Sequence, residues 1–211
     1  NALTELVRGY PNILVHIGPF EVNEALLLPW ITEDNYRQSI DMIKSTDASM
    51  VFGHLSINGF EQYKGQVRDG TELSDLNKSL FERFSIVASG HFHHRSKNDN
   101  IHYLGAAYEF TWNDYNDPRG FSILDLDKKK FTFVQNPYRK FHMLSYDEKK
   151  DIDYNFEHLE HAYVKVLVMD RTNLPQQFEN YLEKLSAVSP ADITLVEDVS
   201  TFAETDDSSE I

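Results

Sequence analysis

Two glycine-histidine pairs carry the chemistry of this sequence: Gly53-His54, and Gly90-His91 continuing as Phe92-His93. Neutral imidazole is a good ligand for Mn, Fe, Zn or Ni. Cysteine is absent, which removes thiolate nucleophiles, zinc-thiolate sites and iron-sulfur clusters and leaves His, Asp, Glu and Asn to hold any metal. Each pair directly follows an apolar run of strand character, Ala48 to Phe52 and Ser85 to Ser89. Glycine lets the backbone turn sharply where each run stops, and ligands of open α/β sheets bind beyond the carboxyl ends of the strands. If the two strands are neighbours, their imidazoles surround one point and form a metal site. If they are not, His54, His91 and His93 are core histidines in separate apolar pockets. His16, His102, His142, His158 and His161 lack this context and read as surface or hydrogen-bonded structural residues.

The elements that must position these side chains follow from periodicity. A helical opening is stopped by Gly9-Tyr-Pro11, and residues 13–17 read as a short strand, followed by a second apolar run from Ala25 to Trp30. Thr32 is placed to cap a helix through about Lys44, with Tyr36, Ile40 and Ile43 at helical spacing. An amphipathic segment at about 74–84 leads into the strand before Gly90. The texture then changes to strand after strand, at 101–104, 121–126, 131–135 and 141–144. A charged, non-periodic stretch at 145–153 predicts a boundary, and strand 161–169, helix 175–185 and strand 193–196 predict a compact α/β unit beyond it. The fold class expected is α+β, with domains at 1–147 and 148–198 and an acidic linker or tail at 199–211.

Composition sets the outer bounds. The chain has 211 residues, 41% of them apolar, with 14 Phe, 11 Tyr and 2 Trp, enough for a packed core. No apolar run approaches the roughly 18 residues of a membrane span, and the lack of cysteine fits a reducing cytoplasm. The net charge of −14 argues against a nonspecific electrostatic grip on nucleic acid. Six of the acids lie at Glu197 and beyond, so the rest carries 20 basic and 28 acidic side chains. Basic residues cluster at Lys128 to Lys130, at Arg139-Lys140 and at Arg95/Lys97, so a local phosphate-facing patch remains open.

The segments Val51-Phe-Gly-His-Leu-Ser-Ile-Asn-Gly-Phe60, Ala88-Ser-Gly-His-Phe-His93, Tyr103-Leu-Gly105 and Asn116-Asp-Pro-Arg-Gly-Phe121 together resemble the calcineurin-like metallophosphoesterases. Within that superfamily the likeness is to SbcD-type DNA repair nucleases, of the sort that T-even-type phages use as a recombination nuclease subunit. The unit after residue 150 is similar to that family's DNA-capping domain. The resemblance implies the C-terminal part of a four-layer metallophosphoesterase β-sandwich flanked by helices, plus a small α/β capping domain. It implies two Mn ions (Mg as an alternative), with His54 and His91 on one and His93 on the other. It also implies hydrolysis of DNA phosphodiesters, an SbcC-type coiled-coil ATPase partner, a homodimeric parent, and the cytoplasm (the host's, if phage-encoded) as its place. His94 and Arg95, next to the motif, are placed to meet phosphate or merely to be solvated. Trp112 and Tyr108 line a nucleic-acid cleft or serve as core aromatics.

The sequence departs from the family in two ways. Ala106-Ala107 stands where the family often has Ser/Thr-Pro. No Asp-x-His, Gly-Asp or Asn-His pair occurs, although the family takes its remaining ligands, a bridging Asp and a catalytic His, from such motifs upstream. The expectation is therefore a C-terminal piece of a nuclease holding half an active site and inactive by itself. Two other readings stay open: a phosphoesterase acting on small phosphoesters, and a non-catalytic module that binds DNA or a partner.

Overall fold

A computed structural model describes residues 2–67, 75–150, 153–170 and 174–197. The chain divides into two compact units, 1–107 with 116–136, and 108–115 with 137–211. Both mix helices with sheets, as the α+β expectation requires.

The first unit is organised by a six-stranded sheet. In chain order its elements are α1 (Ala2–Val7), β1 (Phe20–Val22), β2 (Ala25–Leu28), α2 (Tyr36–Ser45), β3 (Met50–Gly53), β4 (Ser56–Ile57), β5 (Glu61–Tyr63), β6 (Gln66–Val67), β7 (Asp75–Leu76), β8 (Ile86–Ser89), β9 (Ser96–Asn98), β10 (Ile101–Tyr103), β11 (Gly120–Asp125) and β12 (Lys130–Gln135). The sheet order is β1-β2-β3-β8-β10-β9, with β2, β3, β8 and β10 parallel and the two edge strands antiparallel. Apolar runs with both faces covered are what a parallel sheet requires. On one face Leu26, Val51, Val87 and Tyr103 pack with Ile40 and Ile43 of α2 and with Phe81 and Phe84. On the other, Met50, Ile86 and Ala88 pack with Leu124 and Phe131 of the β11–β12 hairpin.

The second unit is a three-stranded parallel sheet, β13 (Phe141–Asp147), β14 (Tyr163–Asp170) and β15 (Asp192–Val196), with β14 in the middle and α3 (Pro175–Ala187) connecting β14 to β15. Val164, Val166 and Val168 alternate along β14 and pack with Tyr146 and with Phe178, Tyr181 and Leu185 of α3.

Several expectations change. Residues 13–17 form no strand, and Leu14 and Ile17 are exposed. Asn35 rather than Thr32 takes the N-cap position of α2, and its carboxamide accepts from Thr32 N at 2.9 Å while donating to Trp30 O at 2.8 Å. Of the amphipathic segment at 74–84 only a 3-10 turn, Lys78–Phe81, and the short β7 form. The second compact unit resumes at residue 137, where β13 goes on to pair in parallel with β14. Within the charged stretch Glu148 is buried and accepts Leu174 N at 2.8 Å. The expected tail at 199–211 lies outside the described residues.

Residues 108–115 join the second unit through Glu109, whose side chain is 1% exposed. It accepts Lys140 N at 2.7 Å, Phe141 N at 2.9 Å and Arg139 Nε at 2.7 Å, closing the start of β13. Removing the acceptor strands two backbone donors. Glu109→Ala is therefore expected to lower the stability of this unit by about 2–4 kcal/mol. Urea unfolding followed through Trp112 in a Trp30→Phe background checks this.

Candidate metal centre

The parallel neighbours β2, β3 and β8 each deliver an aromatic ring from their carboxyl ends: Trp30, His54 and His91. The His54 and His91 ring centroids are 5.2 Å apart, and Trp30 lies 5.3 Å from the first and 4.6 Å from the second. This adjacency follows from the pairing of Gly53 with Ser89 and from the hydrogen bond of Gly90 N to Gly53 O at 3.0 Å. Gly90 is required by the close approach itself, since a Cβ there would sit 2.8 Å from His54 Nδ1.

The turn that carries His54 is pinned to the sheet from below. Ser89 Oγ accepts Leu55 N at 2.8 Å, and the Tyr103 hydroxyl accepts Ile57 N at 2.8 Å and donates to Leu55 O at 2.9 Å. His91 adopts φ +73°, the left-handed region. Such a residue costs on the order of 1–3 kcal/mol and persists where surrounding structure enforces it. Phe92 supplies the enforcement: it is 1% exposed and stacks on Tyr103 at 4.5 Å between ring centroids, leaving His91 and His93 on either side of a buried anchor. His93 packs edge-on to Tyr63 at 5.5 Å. Its carbonyl accepts Ala106 N at 3.1 Å, beside Gly105, whose φ of +76° brings the Tyr103-Leu-Gly105 loop against that oxygen.

Burial, and then the neighbouring His93, hold the His54 imidazole below the ordinary range. It is thus neutral at pH 7, the form that ligates a metal. The donors are of the right kind for Mn, but among the described residues no group of three or more His, Asp or Glu converges closely enough to hold an ion. His54 and His91 supply a pair, and His93 is near enough to perturb His54 electrostatically.

The other expected site residues are placed as follows. The His94 ring is held between Asp117, whose Oδ2 is 3.0 Å from Nδ1, and Glu61, whose Oε2 is 3.6 Å from Nε2. Arg95 lies over the Phe133 ring at 4.7 Å and borders a cavity of about 440 Å³ with Lys97, Lys129, Lys130 and His102. Burial, then Lys97 and Arg95, push the His102 imidazole down. Trp112 belongs to the second unit, 4.8 Å from Phe141 and with Lys165 Nζ 4.2 Å from its ring centroid. Tyr108 stacks on Phe110, and both are about half exposed. Two features went unread in the sequence: Trp30, hidden in an apolar run, and the carboxylates that engage His94.

No protein-family model matches the chain. It is 33% identical over 216 residues to exonuclease subunit 1 of Enterobacteria phage T4, a match covering 100% of this chain and 60% of that protein. It is 24% identical over 96 residues to the D subunit of nuclease SbcCD from Staphylococcus saprophyticus, covering 44% of this chain and 25% of that protein. The corresponding protein of Staphylococcus epidermidis is 25% identical over 118 residues, with coverages of 52% and 31%. The chain is thus similar over its whole length to a phage exonuclease subunit, and over about half of its length to the D subunits of SbcCD nucleases. It spans about three fifths of the phage relative's length. Among the described residues no helix is long and apolar enough to cross a membrane.

Because the folded His54 binds its proton less readily than the unfolded one, its contribution to stability is fully present above an unfolded pKa of about 6.5 and is lost as pH falls through the lowered folded value. Titration of the His54 ring by NMR is expected to give a midpoint below 6.5, and His93→Ala is expected to move it upward. A midpoint unmoved by His93→Ala would show that the two rings do not sense one another.

Proposed function

We propose that this chain contributes the histidine half of a two-metal phosphodiesterase centre, in a nuclease subunit that acts in double-strand-break repair and recombination of DNA. The observation that carries this reading is the pair of adjacent parallel strands ending in Gly-His, with His54 and His91 5.2 Å apart. Relationship to proteins named as exonuclease and SbcCD nuclease subunits supports it.

In this reading His54 and His91 hold one Mn ion and His93 the second, Mg being the alternative, and the remaining acidic ligands come from residues other than these 211. A bound pair of divalent ions supplies Lewis acidity toward the phosphodiester and lowers the pKa of a nucleophilic water. This chain's own residues do the rest. Burial keeps His54 neutral and ligand-competent. Ser89 and Tyr103 fix the turn on which it stands. Trp30, at 44% exposure beside both imidazoles, offers an apolar wall to whatever enters. The β11–β12 hairpin over the central sheet fits one part of a layered metallophosphoesterase sandwich, and the second unit fits a capping domain. The subunit then works on DNA in the cytoplasm, as a homodimer with an SbcC-type coiled-coil ATPase.

Too few ligands for a stable ion among the described residues favour a second reading for the chain taken alone, a non-catalytic DNA- or partner-binding module. Activity separates the two readings. The 211-residue chain is expected to bind Mn weakly and to cleave DNA barely. A longer chain that also carries Asp-x-His, Gly-Asp and Asn-His-Asp segments is expected to show Mn-dependent cleavage, lost by at least about 100-fold in His54→Ala or His91→Ala. Competition between DNA and p-nitrophenyl phosphate esters tells a nuclease from a small-phosphoester hydrolase. Vigorous cleavage by the short chain that survives His91→Ala would place the chemistry elsewhere.

A further inference from the structure

We infer that the buried Asp117–Arg119 ion pair is the device that positions His93, and that Arg119 is a positioning residue for the metal centre rather than a core stabiliser. The assignment rests on the nuclease reading for its purpose, though not for its geometry.

Arg119 is 4% exposed and Asp117 7% exposed, within the first unit. One guanidinium nitrogen of Arg119 lies 2.9 Å from Asp117 Oδ2, and the other donates to the carbonyl oxygen of His93. That carbonyl also accepts Ala106 N, so the peptide leaving His93 is gripped from two directions. The same Asp117 oxygen lies 3.0 Å from His94 Nδ1, and His94 N donates to Gln62 O at 3.3 Å. The backbone after the His93 ring is therefore fixed by Arg119 and the strand-like segment at Gln62, and the next side chain by Asp117 and Glu61.

Charge economy argues against a purely structural role. A buried ion pair gives up solvation for both partners, and apolar residues of similar volume are commonly as stabilising or more so. What an apolar pair cannot do is bind a carbonyl and a carboxylate at once in fixed directions. The planar fork of guanidinium does this, and a lysine ammonium, a point charge on a flexible stem, does not. The local sequence prepares the fork: Asn116 turns the chain at φ +58°, Pro118 stiffens the step between the two charges, and Asn136 N donates to Arg119 O at 2.7 Å. Groups that orient a metal ligand in this way typically change metal affinity or activity by about 10–100-fold when removed.

The test uses Arg119→Met, of similar length and without charge, and Arg119→Lys, which keeps the charge and loses the fork. In the metal-free 211-residue chain, NMR contacts between the His93 and Tyr63 rings are expected to weaken or average in both variants. Contacts among Trp30, His54 and His91 should stay near those of the parent in both, while the urea midpoint falls further in Arg119→Met, which leaves the Asp117 carboxylate buried without its cation, than in Arg119→Lys. In the extended, Mn-dependent nuclease, Arg119→Lys is expected to raise the Mn concentration for half-maximal activity by about 10–100-fold, with the rate at saturating Mn within a few-fold of the parent. Retained His93–Tyr63 contacts in both variants overturn the assignment. So does loss of all tertiary contacts in both, which would make Arg119 a core stabiliser. If the extended parent shows no Mn-dependent cleavage, the nuclease reading fails, while the metal-free measurement still decides whether Arg119 positions His93.

Discussion

The parallel pairing of β3 with β8 is the constraint from which the rest of the first unit follows. Parallel strands share a direction, so whatever leaves their carboxyl ends leaves at the same edge of the sheet. Pairing Gly53 with Ser89 sets the two Gly-His turns side by side, and a hydrogen bond between the glycines closes the gap between them. A slip of one residue would send alternate side chains to the opposite face. Val51 and Val87 would then leave the core they share with α2. Register at the candidate centre is thus maintained by apolar burial one or two residues away.

Backbone conformation at the centre is purchased from that same core. His91 keeps a left-handed backbone because Phe92 and Tyr103 are locked together beneath it, and His54 keeps its turn because two buried hydroxyls satisfy the backbone of residues 55–57. Tyr103 takes part in both arrangements. The positions of the imidazoles follow from these inward-facing neighbours.

How much of this was legible in the sequence depended on whether the signal was local. A glycine and a histidine after an apolar run are adjacent in the chain, so the strand ends and their histidines were readable. So were β14, α3 and β15, whose periods are unmixed. Pairing partners were not readable: the 141–147 strand looks like one more member of the preceding series until β14 lies along it. Residues 13–17 have strand composition, yet pairing rather than composition makes a strand. Asp117 and Arg119 stand in the Asn116–Phe121 motif with no role visible there, because their meaning lies in a carbonyl more than twenty residues earlier in the chain. Trp30 was lost among apolar neighbours for the same reason: only the strand order brings it to the histidines.

Glu109 has a consequence for how the chain is divided. Because 108–115 belongs with the unit that resumes at 137, the polypeptide passes between the two units three times, after residues 107, 115 and 136. Neither unit is a contiguous stretch of sequence, so no single cut frees one from the other. A protein made to begin at residue 137 would contain all three strands of its sheet and yet lack the carboxylate that receives Lys140 N and Phe141 N. Dissecting this protein at its apparent sequence boundary would therefore yield a sheet whose first strand starts with two orphaned donors.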